Sequence, residues 1–239
     1  MVTLALNIKT ETLVNLPCRR IQCDEIWSFC YSKEKNVPEN KRGQFGYGDV
    51  WTWVALDTDT KLVPSWFVGL RNADYAFEFM KDLQSRLANR VQLTTDGHHA
   101  YLNAVEEAFG GDIDYAQLIK LYGQPEFIKD TRYSPSNCIG AKPQRIQGHP
   151  NPKNISTSYV ERQNLTMRMS IRRFTRLTNG FSKKIENHMC AIALYFMHYN
   201  FARPHKTLAY PYPRTPAMAA GLTDHIWTIE EIVNLTDSK

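Results

Sequence analysis

The chain alternates between two hydrophobic rhythms. IQCDEIWSFCY, from Ile21 to Tyr31, is dense in β-branched and aromatic residues and predicts a strand. A polar loop, SKEKNVPENKRGQFGYGD, follows. VWTWVALD and KLVPSWFVGL then read as two strands joined by the tight turn TDT, an antiparallel hairpin. Pro64 near the start of the third strand marks an edge or a bulge. The rhythm changes at NADYAFEFMKDLQSRLANR. Ala76, Phe77, Met80, Leu83 and Leu87 recur at helical spacing, with Asn72 or Asp74 available as N-cap. VQLTTD is a short fourth strand ending in an acid. HHAYLNAVEEAFG is a second amphipathic helix closed by Gly110 and Gly111, and IDYAQLIKLYG a fifth strand.

Gly123 to Ile155 carries five prolines and much polar material, so an irregular excursion is expected there, with short strands at most. Ser156 or Ser158 then caps a long helix that carries Glu161. SKKIENHMCAIALYFMHYNFARPH is a further helix, apolar enough from Met189 to Phe196 to belong to the core, and short helices complete the chain. The order β-β-β-α-β-α-β-loop-α-α predicts an α/β protein with an RNase H-like fold: a five-stranded mixed sheet flanked by helices, strands one and four adjacent and parallel. Three segments are expected: a short N-terminal piece over 1–18, a catalytic domain over 19–200 with an insertion at about 123–155, and a C-terminal helical tail over 201–239 that packs on it.

That topology gives three acids a meaning. Asp24 falls in the middle of strand one, inside an otherwise apolar run where an unpaired charge is costly. Asp96 ends strand four, where open α/β sheets place ligands. Neighbouring strands lie about 4.8 Å apart, so the two carboxylates can share one hard cation, and Glu161 in the first turn of the later helix can reach it. Two Mg²⁺ ions about 3.5–4 Å apart activate a nucleophile and stabilise a leaving oxygen in phosphodiester chemistry. Taken singly, Asp96 is equally a turn aspartate and Glu161 equally a first-turn acid favoured by the helix dipole.

Charge changes the picture further. The 239-residue chain has a net charge of +5, unevenly spread. Between Lys129 and Lys184 twelve Lys or Arg face only Asp130 and Glu161, a local +10, which leaves −5 on the remainder. Such a block on a near-neutral body is the footprint of a polyanion, most often nucleic acid. Arg168 stands seven residues after Glu161, two helical turns, and so shares its face, with Arg172 near it. Arg172, Arg173 and Arg176 are candidate phosphate contacts, and Lys183 and Lys184 close the block. Trp27, three residues after Asp24, falls on the opposite strand face, which favours core packing over stacking on an unpaired base. His98 is either an orienting group near the metal or a polar helix start.

The five cysteines form no CxxC pair and fit a reduced interior. No stretch reaches the roughly 18 apolar residues of a membrane span, and the N-terminus lacks a signal-peptide pattern. A cytoplasmic, nucleoid-associated protein without membrane contact is expected.

QCDEIW, TTDGHHAY, YVERQNLTMRMSIRRFTR and YNFARPHKTL together resemble the DDE transposases of bacterial insertion sequences, from about Leu16 to Leu235. The resemblance implies an RNase H-like catalytic domain with two Mg²⁺ (or Mn²⁺) ions held by Asp24, Asp96 and Glu161. It implies DNA strand cleavage by water, then attack of the freed 3′-OH on target DNA, by a homodimer that holds two transposon ends. It also implies that Arg168 holds phosphates and that the RPH motif with His205 lies near the site. Transposases of this kind carry an N-terminal zinc-binding or helix-turn-helix module. The roughly twenty residues before QCDEIW hold no such pattern, so an upstream-encoded module is a candidate partner. The long interval between Asp96 and Glu161 is accounted for by the Pro-rich insertion. Two other classes share these features: a catalytically silent DNA-binding remnant or regulator, and an RNase H-like nuclease that cuts without joining.

Overall fold

A computed structural model describes residues 12–123, 137–175 and 179–234. Its centre is one six-stranded sheet, in spatial order β3-β2-β1-β4-β5-β6. The strands are β1 (Arg20–Cys30), β2 (Gly48–Asp57), β3 (Ser65–Gly69), β4 (Gln92–Asp96), β5 (Asp114–Gly123) and β6 (Asn137–Gln147). β1, β2 and β3 form an antiparallel meander, β1–β4 and β4–β5 pair in parallel, and β6 returns antiparallel to β5. The first five strands have the RNase H-like order and directions.

The sixth strand corrects the expectation of five. β6 lies inside the stretch read as irregular, and Pro143 sits in it opposite Leu118. Proline is tolerated there because β6 is an edge strand, where a missing N–H breaks no second ladder. Its residues are almost all exposed, so no buried face imprinted an alternating pattern on the sequence. Residues 124–136 of the excursion lie outside the described residues.

Helices α1 (Ala73–Gln84) and α2 (Ala100–Phe109) follow β3 and β4. Asn72 caps α1 by accepting the Tyr75 N–H at 3.1 Å. α3 (Ser158–Ser170) and α4 (Ile185–Met197) come after β6, and a π-helical turn over His198–Ala202 extends α4. Two short helices, α5 (Pro216–Ala219) and α6 (Ile229–Asn234), complete the described chain.

Cross-strand pairs show which helices cover which face. Glu25 pairs with Trp53, whose ring meets Phe79 of α1 and Tyr101 of α2. Asp24 pairs with Val54, which in turn pairs with Trp66, and Trp66 stacks on Phe196 of α4. Asp24 therefore looks toward the α3/α4 layer and Glu25 toward the α1/α2 layer. With both faces covered, the central strands are buried nearly throughout, which is why β1 shows no alternation of buried and exposed positions.

α3 departs from expectation at both ends. Thr157, not Ser156 or Ser158, occupies the N-cap position, and it makes no side-chain cap bond to the backbone. The acceptor comes instead from the sheet: Gln22 Oε1 receives the N–H groups of Tyr159 (2.9 Å) and Val160 (3.1 Å). At the other end the helix stops at Ser170. Ile171 is extended, with φ −114° and ψ 109°, and Arg172–Phe174 form a separate 3₁₀ turn. A β-branched residue is at ease in that extended conformation. Arg172 consequently does not continue the face that Glu161 and Arg168 share.

Among the described residues no helix is long and apolar enough to cross a membrane.

Candidate functional site

The parallel ladder between β1 and β4 runs from Arg20 opposite Gln92 to Gln22 opposite Thr94 and then ends. Asp24 and Asp96 lie two residues beyond that last pair, on neighbouring strands at the same level. This is the crevice outside the carboxyl ends of parallel strands, the usual ligand position in open α/β sheets. Among the described residues, Asp24, Glu25 and Asp96 offer carboxylate oxygens that all lie within 4.8 Å of one another.

Each carboxylate has its own environment. Asp24 is pushed up to about 6 by burial first and by the negative charge of Asp96 second, with Glu161 adding to it. A hydrogen bond from Asn164 Nδ2 to Asp24 Oδ2 (2.9 Å) opposes that rise. Asp96 Oδ1 accepts the His98 backbone N–H at 3.0 Å, which fixes its orientation at the start of the turn. Glu25 is pushed up to about 7 by burial and by Asp96. Its side chain is 1% exposed, and Arg71 Nε donates to Oε2 at 3.0 Å. The other oxygen, Oε1, is buried, and the Tyr101 hydroxyl beside Glu25 opposes that rise. Arg71 also reaches Asp96 at 3.6 Å and lies over the Trp51 ring at 4.9 Å.

Glu161 stands in the first turn of α3, on the same side as Asn164, and its charge is felt at Asp24. Its carboxylate is not within the 4.8 Å group. Thr157 Oγ1 donates to it at 2.5 Å, and Lys120 Nζ of β5 pairs with it at 2.7 Å. Burial pulls the Lys120 amine down, but the bond and charge of Glu161 outweigh that and hold it above its usual range. The three expected acids thus lie toward the carboxyl ends of the central strands β1 and β4. Two of them are in mutual reach, and the third is held beside them by a lysine.

The other candidates divide. Arg168, half-exposed, keeps its place two turns after Glu161 on α3. Arg172, Lys183 and Lys184 are exposed, as a phosphate contact requires. Arg173 is instead built into the fold. Its Nη1 donates to Ser182 Oγ (2.8 Å), Ser182 bonds His188 Nδ1 (2.9 Å), and His188 Nε2 meets Ser28 Oγ (3.0 Å). Arg176 lies outside the described residues. Trp27 is on the face opposite Asp24, as its spacing requires, but it is half-exposed beside Phe29 rather than packed in the core. The His98 ring stacks on Trp53, its Nε2 is buried without a partner, and burial followed by Arg71 lowers its basicity. Its backbone, not its imidazole, serves Asp96. His205 lines a cavity on the other flank of α3, with Arg162 and Gln163.

Several contributors escaped the sequence, among them Glu25, Arg71, Gln22, Asn164 and Lys120. Glu25 had a signal, since an acid in an apolar strand demands a partner on either face, and Asp24 drew attention by that same logic. Gln22, Asn164 and Lys120 act across 137 or more positions, or from a strand whose register no local pattern reveals.

The donor set suits a hard divalent cation. It is all carboxylate oxygen, and burial, then Asp96 and Glu161, raise the proton affinity of Asp24, an effect that a cation bound among them would reverse.

No family model matches the sequence, and no curated protein matches it. Among solved structures, a chain of the simian T-cell lymphotropic virus intasome in complex with PP2A regulatory subunit B56 gamma is similar at 14% identity and a TM-score of 0.46. The match covers 90% of this chain and 58% of that one. The piggyBac transposase synaptic complex with hairpin DNA is similar at 14% identity and a TM-score of 0.36, over 92% of this chain and 52% of that one. The chain spans little more than half the length of either. Likeness at this level shows no function.

Proposed function

We propose that this chain is a DDE transposase catalytic domain of the insertion-sequence type, a polynucleotidyl transferase acting on DNA. The observation that carries this is the pairing of Asp24 with Asp96 at the open ends of β1 and β4, with Glu161 held beside them. Asp24, Asp96 and Glu161 would hold Mg²⁺ or Mn²⁺. When bound, the cations supply charge neutralisation at the phosphoryl group and its entering and leaving oxygens. Exposed Arg172, Lys183 and Lys184, with Arg168 on the α3 face, fit the phosphates of the strand.

Cleavage places a water oxygen on phosphorus and breaks the P–O3′ bond. The 3′ oxygen leaves with a proton as a 3′-OH, and the 5′ side keeps the phosphate. In joining, that 3′-OH attacks a target phosphodiester and one P–O3′ bond replaces another, so no further energy source is required. Asn164 and the His98 backbone hold Asp24 and Asp96 in one orientation throughout. Pre-set geometry of this kind is where such an enzyme gains its rate.

Lys120 and Arg71 already neutralise Glu161 and Glu25. That observation favours a second reading, a DNA-binding protein without chemistry. Mn²⁺-dependent plasmid nicking that disappears in Glu161→Gln supports the transposase. Nicking that persists unchanged in that variant removes Glu161 from the site. Supplying a pre-cleaved 3′-OH end and finding no joined product, while nicking proceeds, leaves a nuclease.

A further inference from the structure

A cavity of about 420 Å³ lies on the flank of α3 away from Glu161. Tyr159, Arg162, Gln163 and Thr166, which line it, sit about 100–160° around the helix from Glu161. Its far wall is the loop after the π-helical turn, Arg203 to Thr207. The volume falls within the roughly 300–1,000 Å³ of small-ligand sites.

Lys61, Arg162, Arg203 and Lys206 all line this cavity, and no carboxylate does. Arg162, Arg203 and Lys206 are exposed and have no carboxylate partner among the described residues. Lys61 has Asp57 and Asp59 near it, whereas Arg162, Arg203 and Lys206 around one concavity repel one another unless an anion joins them. The remaining wall is aromatic and fixed. Lys61 Nζ is held by the Thr58 carbonyl and lies 3.8 Å from the Tyr159 ring centroid. The Tyr199 hydroxyl donates to the Lys61 carbonyl at 3.0 Å. His205 Nδ1 accepts from the Thr207 hydroxyl (2.9 Å) and N–H (3.3 Å), which leaves Nε2–H as the ring's donor. Burial, then Lys61 and Arg203, lower the basicity of His205, so the ring is a neutral donor near neutral pH.

We propose that this cavity is a nucleotide site, separate from the carboxylate site, which takes a nucleoside phosphate unit, either free or as an unpaired residue of a DNA strand. Arg162, Arg203 and Lys206 receive the phosphate. Tyr159, about half exposed, offers the base the ring surface that Lys61 leaves open. Cations beside an aromatic surface are the means by which proteins hold single strands without reading sequence. The site goes beyond the catalytic reading and stands without it, because the side chains that line it face away from Glu161 and none is paired with Asp24, Asp96 or Glu161.

The test uses the full chain, a labelled single-stranded oligonucleotide and fluorescence anisotropy. Arg162→Gln/Arg203→Gln weakens binding at least tenfold and lowers the slope of log K against log salt by roughly 1 to 1.5, since each phosphate contact on a single strand adds about 0.7. Both side chains are exposed, so the melting temperature stays put and verifies the fold. Tyr159→Ala weakens binding further without changing the salt slope. Competition identifies the source. Displacement of the probe by a deoxynucleoside monophosphate supports a free nucleotide, and displacement only by unlabelled oligonucleotide supports a residue within a strand. Inorganic phosphate competing as well as the monophosphate, or a double variant within twofold of the parent, overturns the proposal. Nicking and joining are measured separately from this anisotropy signal, so failure here and failure of the catalytic reading are told apart.

Discussion

Gln22 ties the site together, and removing it has calculable consequences. The residue is 2% exposed and sits on β1 two positions before Asp24. Its Oε1 is the acceptor for the first free N–H groups of α3, at 2.9 and 3.1 Å. Leu has nearly the same volume and no acceptor. Gln22→Leu therefore strands two N–H groups, one of them on fully buried Val160, with little change in packing. A buried donor left without a partner costs about 1–3 kcal/mol, and loss of an N-cap typically about 1 kcal/mol. The apolar gain of leucine offsets part of this. We expect a net loss of roughly 2–3 kcal/mol, which for a chain of this size is a fall of about 4–12 °C in Tm. Urea unfolding followed by tryptophan fluorescence measures it. Nicking should fall at least tenfold at a temperature where the variant is still folded, because Glu161 occupies the first turn that Gln22 anchors. A variant within 0.5 kcal/mol of the parent would refute the anchoring role.

Other expectations follow from the same contacts. His188 is buried and pushed down to about 4 by burial and by Arg173. Below about pH 6.5 the unfolded chain takes up a proton that the folded chain refuses. Stability should therefore be flat in this group above pH 6.5 and fall by roughly 2–3 kcal/mol on going to pH 4.5. His188→Gln should flatten that dependence in urea titrations. Arg173→Ala should cost about 1–2 kcal/mol through the Ser182 hydroxyl it holds, with duplex affinity within twofold. Arg172→Ala should do the reverse: stability within 0.5 kcal/mol of the parent, and a salt slope on duplex DNA lower by about 0.9. Equal behaviour of the two variants in both assays contradicts this division.

Much of the sheet could be read directly because burial writes itself into sequence. β1 to β5 each carry enough apolar or alternating character to be placed, and the levels of Asp24 and Asp96 follow once β1 and β4 are adjacent. β6 was hidden for the opposite reason. An edge strand with two exposed faces needs no hydrophobic pattern and admits a proline. The helix break at Ile171 was also silent, since SIRRF is an acceptable helical sequence and only tertiary packing decides against it. The arginine block shows the limit of charge counting. Arg172 and Arg173 are neighbours in sequence, yet one is exposed and the other completes a buried Arg–Ser–His–Ser chain. Lys120 and Asn164 meet Glu161 and Asp24 through strand and helix register, which no spacing along the chain encodes.

The central claim is that Asp24, Asp96 and Glu161 act as one phosphoryl-transfer site. The most direct measurement is Mn²⁺-dependent cleavage and joining by the purified chain with Asp96→Asn, which keeps the shape and the bond from the His98 N–H while removing the charge. The account predicts a loss of at least a thousandfold in both steps, with the fold and DNA affinity retained. Activity within tenfold of the parent would contradict it.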